Sequence, residues 1–188
     1  MPGWSRVATR MRVPVSFLFA AAYVWFARPR WLTLLAGGGV VLAGLLVRAA
    51  ASGHIRKNTQ LATTGPYAYV RNPLYLGSIL IAIGFIIAAR NWWIGLGALA
   101  MFLLVYVPVV QAEEKYLRAN LPGYDEYCAQ VSRFWPRLTP YRAGNDAGGA
   151  ATFSRELYMR HREYNALIGS IVVMSVLILR MILRMMWT

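Results

Sequence analysis

Two polar segments of this 188-residue chain carry side chains suited to binding a charged ligand. The first runs from His54 to Gly77 and contains a histidine, three cations and three tyrosines. Its sequence Arg71-Asn72-Pro73 predicts a helix start, because asparagine is a favoured N-cap and proline suits the first helical position. The unbonded N–H groups of that helix start, together with the Arg71 guanidinium, would bind an anion such as a carboxylate.

Aromatic rings surround the same helix start. Gly65 and Pro66 predict a turn, and Tyr67, Tyr69 and Tyr75 lie around it in the sequence. Such rings could line an adenine or face a positively charged sulfonium, where a cation over an aromatic face gains on the order of 1 kcal/mol. An interfacial aromatic belt is the alternative interpretation of these tyrosines.

The second polar segment, Glu113 to Pro136, would have to fold back onto the first to complete a site. Glu113 and Glu114 follow an apolar run ending at Val110, where a carboxylate near membrane depth is costly without a partner. Neighbouring helical residues point about 100° apart, so the two glutamates should have different partners. Arg118 lies four residues after Glu114 and can pair with it, which leaves Glu113 as the favoured ligand-facing residue.

The remainder of the chain has the composition of a membrane protein. Hydrophobic residues make up 58% of it and charged residues only 14%. The formal net charge is +13. The cations lie in the gaps between apolar blocks, as in cytoplasmic membrane loops, so no nucleic-acid partner is expected. Cys128 is the only cysteine, which excludes an intrachain disulfide and a metal site of several thiolates.

Apolar blocks predict an all-α, polytopic fold with about five spans, the first of them retained and not cleaved as a signal peptide. Several blocks are shorter than the roughly 20 residues that cross a bilayer core, so cations such as Arg48 must snorkel at their ends. The last block is either a span or an interfacial segment, because Arg180 and Arg184 follow closely. The blocks are Val13–Ala27, Trp31–Val47, Leu74–Ala89, Trp92–Val110 and Ala166–Leu179.

The distribution of lysine and arginine predicts the orientation. With the amino terminus inside, segments 1–12, 48–73 and 113–164 are cytoplasmic and hold most cations, whereas the outer loops hold only Arg28, Arg30 and Arg90. Both polar segments then face the cytoplasm. Arginine far outnumbers lysine, which indicates a GC-rich genome, and we expect a bacterial inner membrane.

Composition also predicts three regions. Residues 1–140 form a membrane-embedded core, residues 141–152 a flexible linker, and residues 153–188 an interfacial helix over Phe153–Asn165 followed by a membrane segment. Within the core, Gly37-Gly38-Gly39 and Gly44 indicate close helix packing, because no strand precedes them as a nucleotide loop would require.

The two polar segments contain two ordered motifs. The first is His54, Thr64-Gly65-Pro66-Tyr67 and Arg71-Asn72-Pro73-Leu74-Tyr75-Leu76-Gly77; the second is Glu113-Glu114-Lys115-Tyr116-Leu117, Tyr124-Asp125-Glu126-Tyr127 and Val131-Ser132-Arg133-Phe134-Trp135-Pro136. Over roughly residues 50 to 140 they resemble the isoprenylcysteine carboxyl methyltransferase and phospholipid methyltransferase superfamily. Asn72 stands where that family usually has histidine, so no proton shuttle is expected there. The turn Pro122-Gly123-Tyr124 is one residue shorter than the family's usual one.

The resemblance implies an integral-membrane methyltransferase that uses S-adenosylmethionine at the cytoplasmic face, where a helical segment closes the site. Its implied substrate is a lipophilic or lipidated molecule that arrives from the bilayer, such as an isoprenylcysteine carboxylate or a phospholipid. No metal is implied. The implied catalytic residues are Glu113 and Arg133, with Arg133 orienting the substrate. The implied cofactor-site residues are His54, Gly65, Tyr67, Arg71, Asn72, Tyr75, Gly77, Glu113 and Glu114.

Methyl transfer from a sulfonium requires alignment of donor and acceptor in a water-poor site. His54 is the only histidine in the two motifs, which favours an acceptor that needs no base, such as a carboxylate or thiolate.

One alternative is an NADPH-dependent membrane reductase of the sterol-reductase type, although Glu113–Tyr116 stands where an Arg-Asp-rich segment is expected. Another is a non-catalytic adaptor whose basic loops bind anionic lipid, which leaves the paired glutamates unexplained. The sequence carries no signal of the oligomeric state of the protein.

Overall fold

The computed structural model describes residues 20–55, 61–142 and 152–187. Within those ranges every regular element is helical and none is a strand, which confirms the predicted all-α class. In chain order they are α1 (residues 20–26), α2 (Trp31–Ser52), a 3₁₀ turn (Gly65–Ala68), α3 (Pro73–Ala89), α4 (Trp92–Met101), a π-helical segment (Phe102–Tyr106), α5 (Val107–Asn120), α6 (Tyr124–Gln130), α7 (Arg155–Arg160) and α8 (Tyr164–Met186).

Three helices of the described chain are long and apolar enough to cross a membrane, fewer than the five predicted spans. They are Trp31–Ser52, the continuous Trp92–Asn120 and Tyr164–Met186. The shortest has 22 residues. At about 1.5 Å per residue it is roughly 33 Å long, enough for a hydrocarbon core of about 30 Å. Helix α3 is apolar but has only 17 residues, and most of the predicted block Val13–Ala27 lies outside the described residues.

Large apolar side chains cover the outer surface of the long helices. On α2, Leu32, Leu35, Leu42 and Leu46 are all more than half exposed, at spacings that place them on neighbouring turns. A surface of this kind aggregates in water and is covered by lipid chains in a bilayer. The exposed leucines therefore agree with the span assignment of α2.

Helices α4 and α5 form one continuous helix that widens in the middle. The π-helical segment Phe102–Tyr106 ends two residues before Pro108, the second residue of α5. Proline has no N–H to bond the carbonyl four residues earlier, and its ring crowds that carbonyl. A local widening accommodates both effects without ending the helix.

Packing divides the described residues into two units, and those of unit 1 fall within the ranges Met1–Gly39, Ala82–Tyr116 and Val172–Thr188. Its described core includes Tyr23, Leu34 and Leu177. Helices α2 and α3 touch within it, because a Cβ at Gly37 would lie only 2.9 Å from the Ala88 Cβ. This contact confirms the predicted packing role for Gly37, whereas a Cβ at Gly39 of the same run would meet no atom within 4 Å.

Unit 2 consists of Val40–Ile81 and Leu117–Ile171 and contains most of the polar residues of interest. A second close approach of α2 and α3 occurs here, where a Cβ at Gly44 would lie 2.6 Å from the Gly77 carbonyl oxygen. Small residues on both helices let the two backbones meet.

A half-buried ion pair joins three elements of unit 2. Arg48 Nε donates to Glu163 Oε2 and Arg48 Nη2 to Glu163 Oε1, both at 2.9 Å. Arg48 Nη1 also donates to Ser78 Oγ on α3 at 2.5 Å. The Arg48 guanidinium is thus bonded between α2, α3 and the turn before α8, and the expectation that it snorkels to the membrane surface stays a prediction.

The segment before α8 differs from its prediction. Instead of one helix over Phe153–Asn165, α7 covers only Arg155–Arg160, and Ser154 Oγ caps it by accepting the Leu157 N–H at 3.3 Å. A turn follows, in which Arg162 has a left-handed φ of 53° that interrupts the helix before α8. Of the predicted linker 141–152, residues 143–151 lie outside the described chain.

Candidate functional site

The first polar segment begins with a histidine held between backbone groups. His54 Nδ1 lies 2.7 Å from the Ala50 carbonyl oxygen. Because a carbonyl oxygen only accepts, Nδ1 carries the proton, and Nε2 is the acceptor in the neutral ring. Gly65 packs against this ring with a left-handed φ of 58°, and a Cβ there would lie 2.6 Å from Nε2. Two predicted site residues therefore meet, and only glycine fits at the second of them.

The predicted turn is a 3₁₀ turn over Gly65–Ala68 that buries Tyr67. The Tyr67 ring is 6% exposed, whereas Tyr69 is 39% exposed. A ring buried among protein groups is not part of an interfacial belt, so that alternative fails for Tyr67. The Tyr67 carbonyl oxygen accepts a hydrogen bond from the Tyr127 hydroxyl at 2.6 Å.

The later part of the second polar segment, from Tyr127 onward, contacts the first polar segment, as the sequence predicts for the segment as a whole. The contact is made largely by main-chain groups, which hold the two segments at fixed register. Three N–H groups donate across this junction: Arg71 to Ser132 at 3.0 Å, Arg137 to Tyr69 at 2.9 Å and Tyr141 to Ala68 at 2.8 Å. We call residues 67–71 and 127–141 with these bonds the polar junction.

A small core lies under the polar junction. Tyr124, Tyr127 and Val131 are buried together, with Leu61 and Leu117 packed against them. Burial raises the pKa of the Tyr127 hydroxyl, because the phenolate would lose its hydration, and Tyr124 adds to the effect while the Arg71 charge opposes it. The Tyr127 hydroxyl therefore stays protonated near neutral pH and acts as a donor.

The predicted helix start is where the sequence placed it. Helix α3 begins at Pro73, and the Asn72 carbonyl accepts the Leu76 N–H at 2.9 Å. Half-buried Arg71 precedes them and donates from Nη1 to Cys128 Sγ at 2.8 Å. The guanidinium is thus positioned near a helix N-terminus, where cation and backbone N–H groups attract an anion.

Tyr75 and Gly77 lie on the first turns of α3. Tyr75 is half-buried. Gly77 faces α2, since a Cβ there would lie 2.7 Å from the Gly44 carbonyl oxygen. The structure thus gives Gly77 a place in helix packing, and the cofactor contacts of both residues stay predictions.

Two arginines follow α6. Arg133 is half-buried in a bend where the Ser132 hydroxyl donates to the Trp135 carbonyl oxygen. Arg137 was not a predicted site residue. Its Nη1 is buried and has no hydrogen-bond partner within the part of the chain that the structure describes. Its place just after the closing Trp135-Pro136 motif is the sequence signal that could have found it.

The paired glutamates lie on α5, in unit 1. Glu113 is exposed and Glu114 half-buried. Arg118, the predicted partner of Glu114, places its Nε 2.6 Å from Asp125 Oδ1, an exposed pair within unit 2. The pairing of Arg118 with Glu114 and the approach of Glu113 to the first polar segment both stay predictions.

Long apolar helices, exposed leucines and the absence of strands among the described residues define a helical membrane protein. Residues 47–122 match the family model of the phospholipid methyltransferases, which confirms the resemblance over that part of the chain. The matched range contains the first polar segment and both glutamates, and it ends before Tyr127 and Arg133.

Two curated relatives are similar to the chain. One, a nickel-cobalt-cadmium resistance protein (NccN) of Alcaligenes xylosoxydans xylosoxydans, is 37% identical over 90 residues, which is 47% of this chain and 41% of the relative. The other, a cobalt-zinc-cadmium resistance protein (CzcN) of Cupriavidus metallidurans, is 30% identical over 140 residues, which is 70% of this chain and 64% of the relative. The chain thus spans less than two thirds of either relative. No solved structure matches it.

Neither relative's name indicates what the chain itself binds. Among residues 20–55, 61–142 and 152–187, no group of three or more histidine, cysteine, aspartate or glutamate side chains is placed to hold a metal ion.

Proposed function

We propose that this protein is an integral-membrane methyltransferase that transfers a methyl group from S-adenosylmethionine to a lipophilic acceptor from the bilayer. The observation that carries the proposal is the polar junction, because it brings the first motif, which lies in the family match, into contact with the later part of the second motif within unit 2. Acceptors of the isoprenylcysteine-carboxylate or phospholipid kind agree with the exposed apolar helices.

The residues of the polar junction fit a ligand that carries a carboxylate. Arg71 is fixed at the start of α3 by its bond to Cys128. Arg137 has a buried Nη1 without a hydrogen-bond partner in the described ranges, and a buried donor of this kind calls for an acceptor. Bound S-adenosylmethionine would offer that carboxylate and supply the methyl group of its sulfonium.

The polar junction and the small core beneath it could align the methyl donor with its acceptor and keep water out of the site. The core of Tyr124, Tyr127 and Val131 supports the junction from beneath and leaves it little freedom to shift. Fixed positions for donor and acceptor are the main requirement of a methyl transfer. His54 Nε2, unprotonated in the neutral ring, could accept a proton from an amine or hydroxyl substrate.

The names of the two relatives favour a role of this protein in resistance to metals. Both name cobalt and cadmium. We therefore propose that methylation of a membrane component by this protein contributes to tolerance of these metals. This second proposal concerns the consequence of the reaction and rests on the first.

Membranes from cells with and without the protein, supplied with methyl-labelled S-adenosylmethionine, test the activity. We expect a labelled lipid-soluble product that depends on the protein and falls at least about tenfold in Arg71→Gln, which removes the anion-binding guanidinium. Mass spectrometry of the labelled product identifies the acceptor. Glu156→Gln, an exposed carboxylate of α7 outside both motifs, is the control and should keep full activity.

Two results would contradict the proposal. Label that appears equally with and without the protein would exclude the activity. Label transfer that is absent while NADPH oxidation is present would favour the reductase alternative.

Growth of a host in graded cobalt and cadmium tests the second proposal. Wild-type protein should raise the tolerated concentration, and Arg71→Gln should not. Equal protection by wild type and Arg71→Gln would contradict the second proposal, because metal tolerance would then not depend on methyl transfer.

A further inference from the structure

Four arginines of unit 1 converge on one open cavity of about 630 Å³. They are Arg28 and Arg30 in the connection between α1 and α2, Arg90 after α3, and Arg184 near the end of α8. No acidic residue lines the cavity among the described residues. Four like charges around one opening repel each other unless an anion lies between them.

The guanidinium groups of Arg28, Arg30 and Arg90 make no hydrogen bond or ion pair to any described residue. By contrast, Arg180 on α8 is bonded through Nε to the Ala27 carbonyl oxygen at 3.0 Å. Within the described chain, the lining arginines of the connections are thus available to an external ligand.

Arg90 also has a backbone conformation that is unfavourable for a residue with a side chain. It follows the last residue of α3 with a left-handed φ of 52°, a position at which glycine is the usual residue. A side chain retained in a conformation that glycine adopts more easily suggests a use for that side chain.

The walls of the cavity indicate a lipid and not a free anion. Trp31 at the start of α2 is 55% exposed, and Met185 near the end of α8 is 64% exposed. Trp25, Trp92 and Trp93 are exposed at neighbouring helix ends, the arrangement found at headgroup depth. The predicted orientation puts the three connection arginines at the non-cytoplasmic surface, and all three line this cavity.

We propose that this cavity binds the phosphate headgroup of an anionic phospholipid, with its acyl chains along the apolar sides of α2 and α8. Guanidinium groups bind phosphate oxygens through charge-assisted, often paired hydrogen bonds. A second cavity of about 460 Å³ shares Arg28 and Arg184, so the charged surface extends beyond one opening. The inference is separate from the proposed methyl transfer.

Binding of phosphatidylglycerol to the purified full chain in phosphatidylcholine nanodiscs, without S-adenosylmethionine, tests it. Arg90→Gly removes one guanidinium and the left-handed strain together, so the variant should fold at least as well as wild type. We expect its affinity for phosphatidylglycerol to fall about fivefold, and that of the triple variant Arg28→Gln, Arg30→Gln, Arg90→Gly to fall more than tenfold.

Arg162→Gly is the matched control, because Arg162 is also an exposed arginine with a left-handed φ, of 53°, and does not line the cavity. It should bind phosphatidylglycerol like wild type. Equal loss in Arg90→Gly and Arg162→Gly, or no loss in either, would overturn the site. Displacement of the lipid by inorganic phosphate at equal concentration would overturn the assignment to a lipid.

Discussion

Tyr127 links the two motifs through a single buried atom. Its hydroxyl donates to the Tyr67 carbonyl oxygen at 2.6 Å, and the residue is 2% exposed. A hydrogen bond inside a core stabilises less through its own strength than through the cost of leaving its partner unpaired. The bond between residues 60 positions apart therefore contributes to holding the polar junction closed.

Tyr127→Phe should lower the free energy of unfolding by about 1–3 kcal/mol, because the Tyr67 carbonyl oxygen is left buried without its donor. Thermal unfolding of the purified protein in detergent measures the change. Tyr69→Phe alters an exposed ring and should leave the midpoint unchanged. Equal effects of the two substitutions would mean that the hydroxyl has no structural role.

Burial raises the pKa of Tyr127, which gives a pH dependence of known sign. The unfolded chain releases this proton near pH 10, about the ordinary tyrosine value, whereas the folded protein retains it. Above that pH the unfolded state binds fewer protons, so stability falls as pH rises. Unfolding measured between pH 8 and about 11 should show a smaller decline for Tyr127→Phe than for wild type.

At the scale of elements, the Arg48–Glu163 pair holds the end of α2 against the turn before α8. The side chains are 23% and 11% exposed, and the pair is bidentate. Two planar groups matched in this way stabilise a specific arrangement of α2 and the turn before α8.

Glu163→Gln should destabilise the protein by about 1–3 kcal/mol, since it leaves the Arg48 charge half-buried without its carboxylate; partial exposure keeps the loss below that of a fully buried pair. Adding Arg48→Gln should recover part of the loss. Asp125→Asn breaks the Arg118 pair, whose side chains are 61% and 73% exposed, and should change little. A larger loss from Asp125→Asn than from Glu163→Gln would contradict this ranking.

The α2–α3 contact gives a paired test on one helix. A Cβ at Gly44 would lie 2.6 Å from the Gly77 carbonyl oxygen, so Gly44→Ala should cost about 1–3 kcal/mol through overpacking. A Cβ at Gly39 meets nothing within 4 Å, so Gly39→Ala should be neutral or stabilise by up to about 1 kcal/mol through helix propensity. Unfolding midpoints that shift in the same direction would contradict the packing.

Local signals made several elements predictable. Asn72-Pro73 predicted the start of α3, because helix capping acts within a few residues. The small residues of α2 indicated close helix packing, but not that α3 is the helix they contact. Interactions across the chain were not predictable in the same way. The partner of Arg48 lies 115 positions away, and the Cys128 acceptor of Arg71 lies 57 positions away. The break at Arg162 depends on a backbone conformation that its sequence does not favour.

At the scale of the whole molecule, composition predicted a helical membrane protein, and the motifs predicted the family whose model matches part of the chain. Hydrophobic content and helix length both indicate a membrane protein, and residues 47–122 carry the family match. Of the predicted site residues, His54 meets Gly65, Tyr67 is buried and Arg71 precedes α3, whereas their contact with a cofactor stays a prediction. Arg137 was missed because its place just after the Trp135-Pro136 motif marks it as a candidate only once its buried Nη1 is known.

Binding of S-adenosylmethionine to the purified protein tests the central claim most directly. Calorimetric titration should show saturable binding that weakens at least about tenfold in both Arg71→Gln and Glu113→Gln, because the two motifs are expected to hold one ligand. Glu156→Gln should bind like wild type. No binding of S-adenosylmethionine, or tighter binding of NADPH, would contradict the account.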